Sequence, residues 1–200
     1  MYEELEARLN FLRACGAGTL RHSGGTLIAH LLGTRTLLQA WQARPALYEA
    51  GLFHSVYGTE SFGDGVVALE LRPAVREVIG EEAEELVFLF GIKKSRAFYT
   101  MARGVIAGLE LKDGRHARAR EAATSELQIE HRLTGERLAI SRQQLGDLIN
   151  LSIANTLEQA YRSQSSLNMQ ECEFLFGLSR LALPGATRAL RCACRRAGSN

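Results

Sequence analysis

Leu27, Ile28, Leu31, Leu32, Leu37, Leu38 and Trp41 recur at three- and four-residue intervals, the period of a helix with one apolar face. Arg44-Pro45 interrupts that run, because the residue before a proline avoids the α region and proline suits a first helical turn. Leu47, Ala50, Gly51, Phe53 and Val56 then resume the period as far as Gly58. Two helices joined by so short a connection fold back on each other. His30 lies 14 residues before Arg44 and His54 lies 10 after it, roughly 21 and 15 Å from the turn. The pattern therefore predicts an antiparallel hairpin that carries two imidazoles at nearly one level. Tyr57, three residues beyond His54, projects from nearly the same face.

Around that hairpin the pattern predicts further helices. Tyr2 to Cys15 places Leu5, Leu9, Phe11 and Leu12 on one side and stops at Gly16-Ala17-Gly18. Thr19 to Gly25 reads as a loop holding His22, with Ser23 and Thr26 as candidate N-caps. Thr59 to Gly65 reads as a second loop. Arg72-Pro73 opens a short helix, and residues 80–91 form another with its acidic residues at the favourable N-terminal end. No element is assigned to 97–125. Residues 126–133 and 137–140 alternate apolar and polar positions about Thr134-Gly135, a small β-hairpin with His131 packed on its apolar face. Ser141 to Gln144 has the form of a capping box and starts a long helix to about Arg162. Residues 165–183 and 184–196 read as two last helices. The expectation is an all-α bundle with one hairpin excursion near 126–140. It forms a single domain over 1–200, with its core at about 20–163 and the helices of 165–196 packed on it.

Composition narrows the function classes. The chain has 200 residues, 46% hydrophobic and 23% charged, with a formal charge of +2, an ordinary globular balance. The charges are interspersed, so nothing points to nucleic acid or a membrane surface, and Arg191, Arg195 and Arg196 read as a solvated tail. There is no apolar run long enough to span a bilayer and no leader-like segment. Cys15, Cys172, Cys192 and Cys194 follow no metal or disulfide-framework spacing, so reduced thiols and a cytoplasmic location are expected. A small-molecule substrate is the expected partner, and a homodimer stays open.

The candidate chemistry gathers on a few residues. Asp147, Leu151, Asn155, Glu158 and Arg162 form one stripe along the long helix, which is either the lining of a polar cavity or a solvated edge. Lys93, Lys94, Ser95 and Arg96 follow the acidic helix. They either compensate its dipole or form an anion-binding rim.

A histidine early in one helix and Ala50-Gly51-Leu52-Phe53-His54 near the end of the next resembles the HD-domain superfamily of metal-dependent phosphohydrolases. Ile79 to Val87 is similar to the helix that follows in that superfamily's stringent-response nucleotide hydrolases, and Asp147 and Asn150 echo their final Asp and Asn. His22 to Thr26, His30 to Thr34 and Ala50 to Glu60 also resemble a group of small bacterial and plant proteins with no assigned reaction. The resemblance implies an HD-like bundle. Yet Ser55 stands where the superfamily's metal-binding Asp would be, which removes a full negative charge. Tyr57-Gly58 replaces the acidic pair that follows in the nucleotide hydrolases, so a two-metal site is not expected.

What remains is a single divalent Fe, Mn, Zn or Ni held by His30, His54 and a third ligand: His22 from its loop, or Asp147 or Glu158 from the stripe. The alternative is a pair of histidines that only hydrogen-bond in a degenerate pocket. The leading expectation is an HD-type enzyme that hydrolyses a small polar or phosphorylated metabolite. His54, Tyr57 and Glu158 carry the chemistry, and Asn155, Lys93, Lys94 and Arg96 bind substrate. The competing expectations are a mononuclear iron oxygenase and a non-catalytic domain that binds a metabolite or partner.

Overall fold

A computed structural model describes residues 2–22, 24–110 and 126–197. Nine helices run through them: α1 Tyr2–Ala14, α2 Leu27–Ala40, α3 Pro45–Phe53, α4 Arg72–Ile79, α5 Glu81–Ile92, α6 Ser95–Glu110, α7 Arg142–Arg162, α8 Met169–Leu178 and α9 Pro184–Ala197. Three antiparallel strand pairs punctuate them: β1 Arg21–His22 with β2 Gly25–Thr26, β3 Gly58–Thr59 with β4 Gly63–Asp64, and β5 Gln128–Glu130 with β6 Arg137–Ala139. The mostly helical class expected from the pattern is what forms.

The predicted hairpin is present as α2 and α3, with Arg44 as the N-cap of α3 and Pro45 in its first turn. Gly51 lets the two helices close, since a Cβ there would stand 2.6 Å from Leu38 Cδ1 and 3.4 Å from the Arg35 backbone. Leu27, Leu31, Leu38, Leu47, Leu52 and Phe53 are all buried in the contact, each worth about 1.5–3 kcal/mol. Thr26 caps α2, its hydroxyl accepting from Ala29 N. Ser23, the other candidate cap, lies outside the described residues.

Helix α7 threads the bundle against α2, α3 and α5. Its capping box is made as the sequence implies, Ser141 accepting from Gln144 N and Gln144 accepting from Ser141 N. The two stretches read as plain loops each contain a two-residue strand pair. Gly58 is essential to the second, because its φ is +76° and a Cβ would run into the Gly63 carbonyl. Helix α6 occupies part of the unassigned stretch. The last two predicted helices form as α8 and α9, and Cys172 and Cys194 are joined across them as a disulfide with Cα atoms 5.7 Å apart. The expectation of four reduced thiols is corrected for that pair, whose proximity comes from helix packing rather than spacing. Cys15 and Cys192 are free.

Candidate functional site

His30 shares the inner face of α2 with Leu27, Leu31, Thr34 and Leu38, and its ring is fully buried. His54 is the residue that ends α3 and is equally buried. Their Nε2 atoms meet 3.1 Å apart. The amide oxygen of Asn155, on α7, completes the group at 3.0 Å from His30 Nε2 and 2.9 Å from His54 Nε2.

The outer nitrogen of each ring is fixed by an acceptor. His54 Nδ1 is 2.8 Å from the Gly51 carbonyl, which can only accept, so Nδ1 carries the proton. His30 Nδ1 faces the Glu158 carboxylate. That carboxylate is also paired with Arg162, which in turn donates to the Ala29 carbonyl at 2.6 Å. Burial alone would raise Glu158, but the hydrogen bonds from His30 and Arg162 outweigh it and hold the carboxyl below its ordinary value. It therefore stays ionised and accepts, and His30 Nδ1 also donates. For His54, burial first and the neighbouring His30 second push the ring down to about 3. At neutral pH its Nε2 is a bare lone pair.

Three electron-rich atoms thus face one point. The contact is made good in one of two ways. A proton on His30 Nε2 can be shared with His54 Nε2 and Asn155 Oδ1, or a cation can sit among three lone pairs. The donor set fits a metal. Donors bound at 2.0–2.1 Å lie roughly 2.9–3.4 Å from one another between right-angled and tetrahedral geometry. The edges of this triangle fall in that range. Both imidazoles also have the outer hydrogen bond, one to a carboxylate and one to a carbonyl, that metal-binding histidines use to fix tautomer and orientation. Among the described residues no three His, Cys, Asp or Glu side chains cluster as a metal group; the third donor here is an amide.

The centre borders a polar cavity of about 360 Å³. Hydroxyls of Ser55, Ser61, Ser95, Ser152 and Thr156 line it together with Lys93 and Gln159. Ser55, in the place of the superfamily's Asp, is itself 3% exposed. His22 closes one side, its ring 4.5 Å from His30 and 4.9 Å from Phe62. Its Nε2 is buried without a hydrogen-bond partner, and burial followed by His30 lowers its basicity.

Several expectations change. Asp147 is not a ligand of this centre: it lies eight residues before Asn155 on α7, about 12 Å along the helix. There it accepts from Arg44 Nη2 at 2.6 Å. Burial raises it and that hydrogen bond opposes the rise. Tyr57 does not reach the cavity. Its hydroxyl donates to the buried Glu84 at 3.0 Å, which Arg72 and Arg76 also pair from the surface side. Glu158 is not an open base, since His30 and Arg162 occupy its oxygens. Of the cations in the basic run only Lys93 lines the cavity, with Ser95 beside it. Lys94 pairs with Glu130 at 2.7 Å on the surface, and Arg96 is exposed. The stripe on α7 is divided: its C-terminal half, with Asn155, Glu158 and Arg162, serves the centre, and its N-terminal half ties α7 to Arg44. Missed from the sequence were Ser152, Thr156 and Gln159, whose 152/156 and 156/159 intervals put them on one face of α7. Tyr99 was missed because α6 was unassigned.

No described helix is long and apolar enough to cross a membrane. Residues 11–94 match the model of a domain of unknown function, DUF6817. No curated protein and no solved structure matches the chain. The matched segment contains His22, His30, His54 and Lys93, whereas Asn155 and Glu158 come from outside it.

Proposed function

We propose that the chain is an enzyme whose cavity takes a small polar metabolite over a single divalent transition metal and hydrolyses an ester in it, a phosphate ester foremost. The observation that carries the reading is the triangle of His30 Nε2, His54 Nε2 and Asn155 Oδ1 with sides of 2.9–3.1 Å. Those three atoms are the ones that would hold the metal, and His22 stands beside them with its ring 4.5 Å from that of His30. Neutral nitrogen donors with one amide oxygen suit Fe, Zn, Ni or Mn better than Mg or Ca. A metal there, when bound, supplies a Lewis acid that polarises a substrate oxygen and acidifies water.

The chain's own residues do the rest. Glu158 and the Gly51 carbonyl keep both imidazoles in the tautomer that presents Nε2 inward. Ser55, Ser152, Thr156 and Gln159 offer hydrogen bonds to a polar substrate, and Phe62 and Phe90 supply apolar lining. The HD resemblance of the α2–α3 hairpin favours hydrolysis over other uses of such a centre. Loading the chain with Fe(II), Mn(II), Zn(II) or Ni(II) and assaying a generic phosphomonoester tests it. Turnover lost in Asn155→Ala and His54→Ala is expected; turnover equal in all three chains would overturn the reading.

A second reading has its own support. A proton on His30 Nε2 satisfies the same triangle, with Glu158 balancing the imidazolium. The centre would then be a metal-free acid–base pair in a binding pocket. Metal content separates the two.

A further inference from the structure

Lys93 is the only lysine or arginine among the described residues that line the cavity. It caps the C-terminus of α5, its backbone N–H bonded to Leu89 O at 3.1 Å. An antiparallel bridge to His131 pins the same residue from the other side. With its backbone held at both sides, the side chain turns inward and is 5% exposed. Its Nζ donates to the Phe90 carbonyl at 3.3 Å and stands 3.6 Å above the Phe90 ring. No carboxylate of the described residues is within ion-pair distance of it. Glu60, the nearest in influence, is engaged by Ser95 N–H at 2.8 Å.

A buried ammonium without a counter-ion is costly by several kcal/mol. The amine resolves that cost by giving up its proton, and burial brings it down to about 7. The cavity wall beside it holds hydroxyls that can donate to an anion. The unpaired amine and the donors thus line one cavity, and Phe90, under the amine, also meets the His54 ring at 5.4 Å.

We infer that the cavity's ligand carries an oxyanion, a phosphate, sulfate or carboxylate group, that seats on Lys93, and that this anion and one proton enter together. The inference rests on the cavity being the ligand site, and not on the metal. The groups facing Lys93 leave it as the one that changes charge above neutrality. Glu60, from the β3–β4 hairpin, is held ionised by the Ser95 N–H. Tyr99, from α6, is raised by burial and stays neutral. His22, across the cavity from β1, is lowered by burial and is neutral there. Behind the bridge, His131 Nδ1 accepts from Leu133 N and Thr134 N, and Glu130 is paired with Lys94. The α7 residues lining this side, Ser152, Asn155, Thr156 and Gln159, do not titrate.

Sulfate is the probe, because its charge is constant between pH 6 and 9.5. Its affinity for the full chain is measured by calorimetry at fixed ionic strength, before and after chelator treatment, and in two buffers of different ionisation enthalpy. Above pH 7 the free amine is neutral and must gain a proton to receive the anion. Affinity is therefore expected to fall about tenfold per pH unit between 7.5 and 9, with about one proton taken up per sulfate and no effect of the chelator. Lys93→Arg is expected to bind sulfate with no such slope, and Lys93→Met, which replaces the buried amine by an apolar side chain of similar length, to stay folded by circular dichroism and bind none. A flat profile in the native chain, undiminished binding in Lys93→Met, or sulfate binding abolished by the chelator would each overturn the inference. Absence of bound metal alone would overturn the hydrolytic reading and leave this one standing.

Discussion

At His54 both ring nitrogens are committed, one to the Gly51 carbonyl and one to the shared point with His30 and Asn155. Burial holds the folded ring near 3 against an ordinary 6.5. Between those values the unfolded chain holds a proton at this ring that the metal-free folded chain does not. Stability therefore falls as pH falls from about 6.5 toward 3, by about 1.4 kcal/mol per unit, and the loss is complete below 3. Urea unfolding of the metal-free chain and of His54→Gln should converge by about 2 kcal/mol on going from pH 6.5 to 5. A constant difference would mean that the ring is not held neutral. Glu158→Gln tests the next residue out. It keeps the shape but weakens the hold on the His30 tautomer, so metal affinity should drop about 10- to 100-fold with the fold intact. Unchanged affinity in a competition titration would remove Glu158 from the account. The sequence placed His30 and His54 at one level, because helical period and a short turn fix level and face, and it put Asn155 and Glu158 on one stripe of the long helix without deciding between cavity lining and solvated edge. It did not show the partners of Tyr57 and Asp147, because a helical period gives a face and not a partner. Arg72 with Glu84, and Arg44, are remote in sequence and compete for those side chains.

Two glycines show how the elements hold the site. Gly33 on α2 lies under the Glu158 side chain, and a Cβ there would come within 2.5 Å of its Oε1 and 2.8 Å of its Cγ. That is a movable carboxylate, so Gly33→Ala should displace Glu158 and lower metal affinity as Glu158→Gln does. Helix propensity, worth about 0.5–1 kcal/mol, offsets part of any loss of stability. Gly51→Ala instead meets the Leu38 Cδ1 methyl, which is fully buried between the two helices and can move only by displacing its neighbours. It should spread the hairpin and cost about 1–3 kcal/mol in denaturant unfolding. Equal stabilities of the two variants would contradict this packing. At this scale the α2–α3 hairpin was legible from its apolar period and Arg44-Pro45. The strand pairs at Arg21–Thr26 and Gly58–Asp64 were not, because two-residue strands carry no alternating run. The signal for α6 is the recurrence of Phe98, Ala102, Val105, Ile106 and Leu109 at helical intervals.

For the molecule as a whole, the centre is assembled from both halves of the chain: the hairpin gives the imidazoles and α7 gives the amide and carboxylate. Helices α8 and α9 back this arrangement, and Phe174 of α8 meets the cavity residue Tyr99 at 4.9 Å. The Cys172–Cys194 link closes a separation of 22 residues, a loop whose closure is worth about 3 kcal/mol. Cys194→Ser should lower stability by about that amount under non-reducing conditions; no change would mean the bond does not form in solution. The sequence could not pair these cysteines, since their approach depends on how two helices dock. Whether the triangle holds a metal is read most directly from the transition-metal content of the full chain purified without chelators, compared with His54→Ala by plasma mass spectrometry. About one equivalent is expected in the native chain and almost none in the variant. Less than about a tenth of an equivalent in the native chain, or equal metal in both, would contradict it.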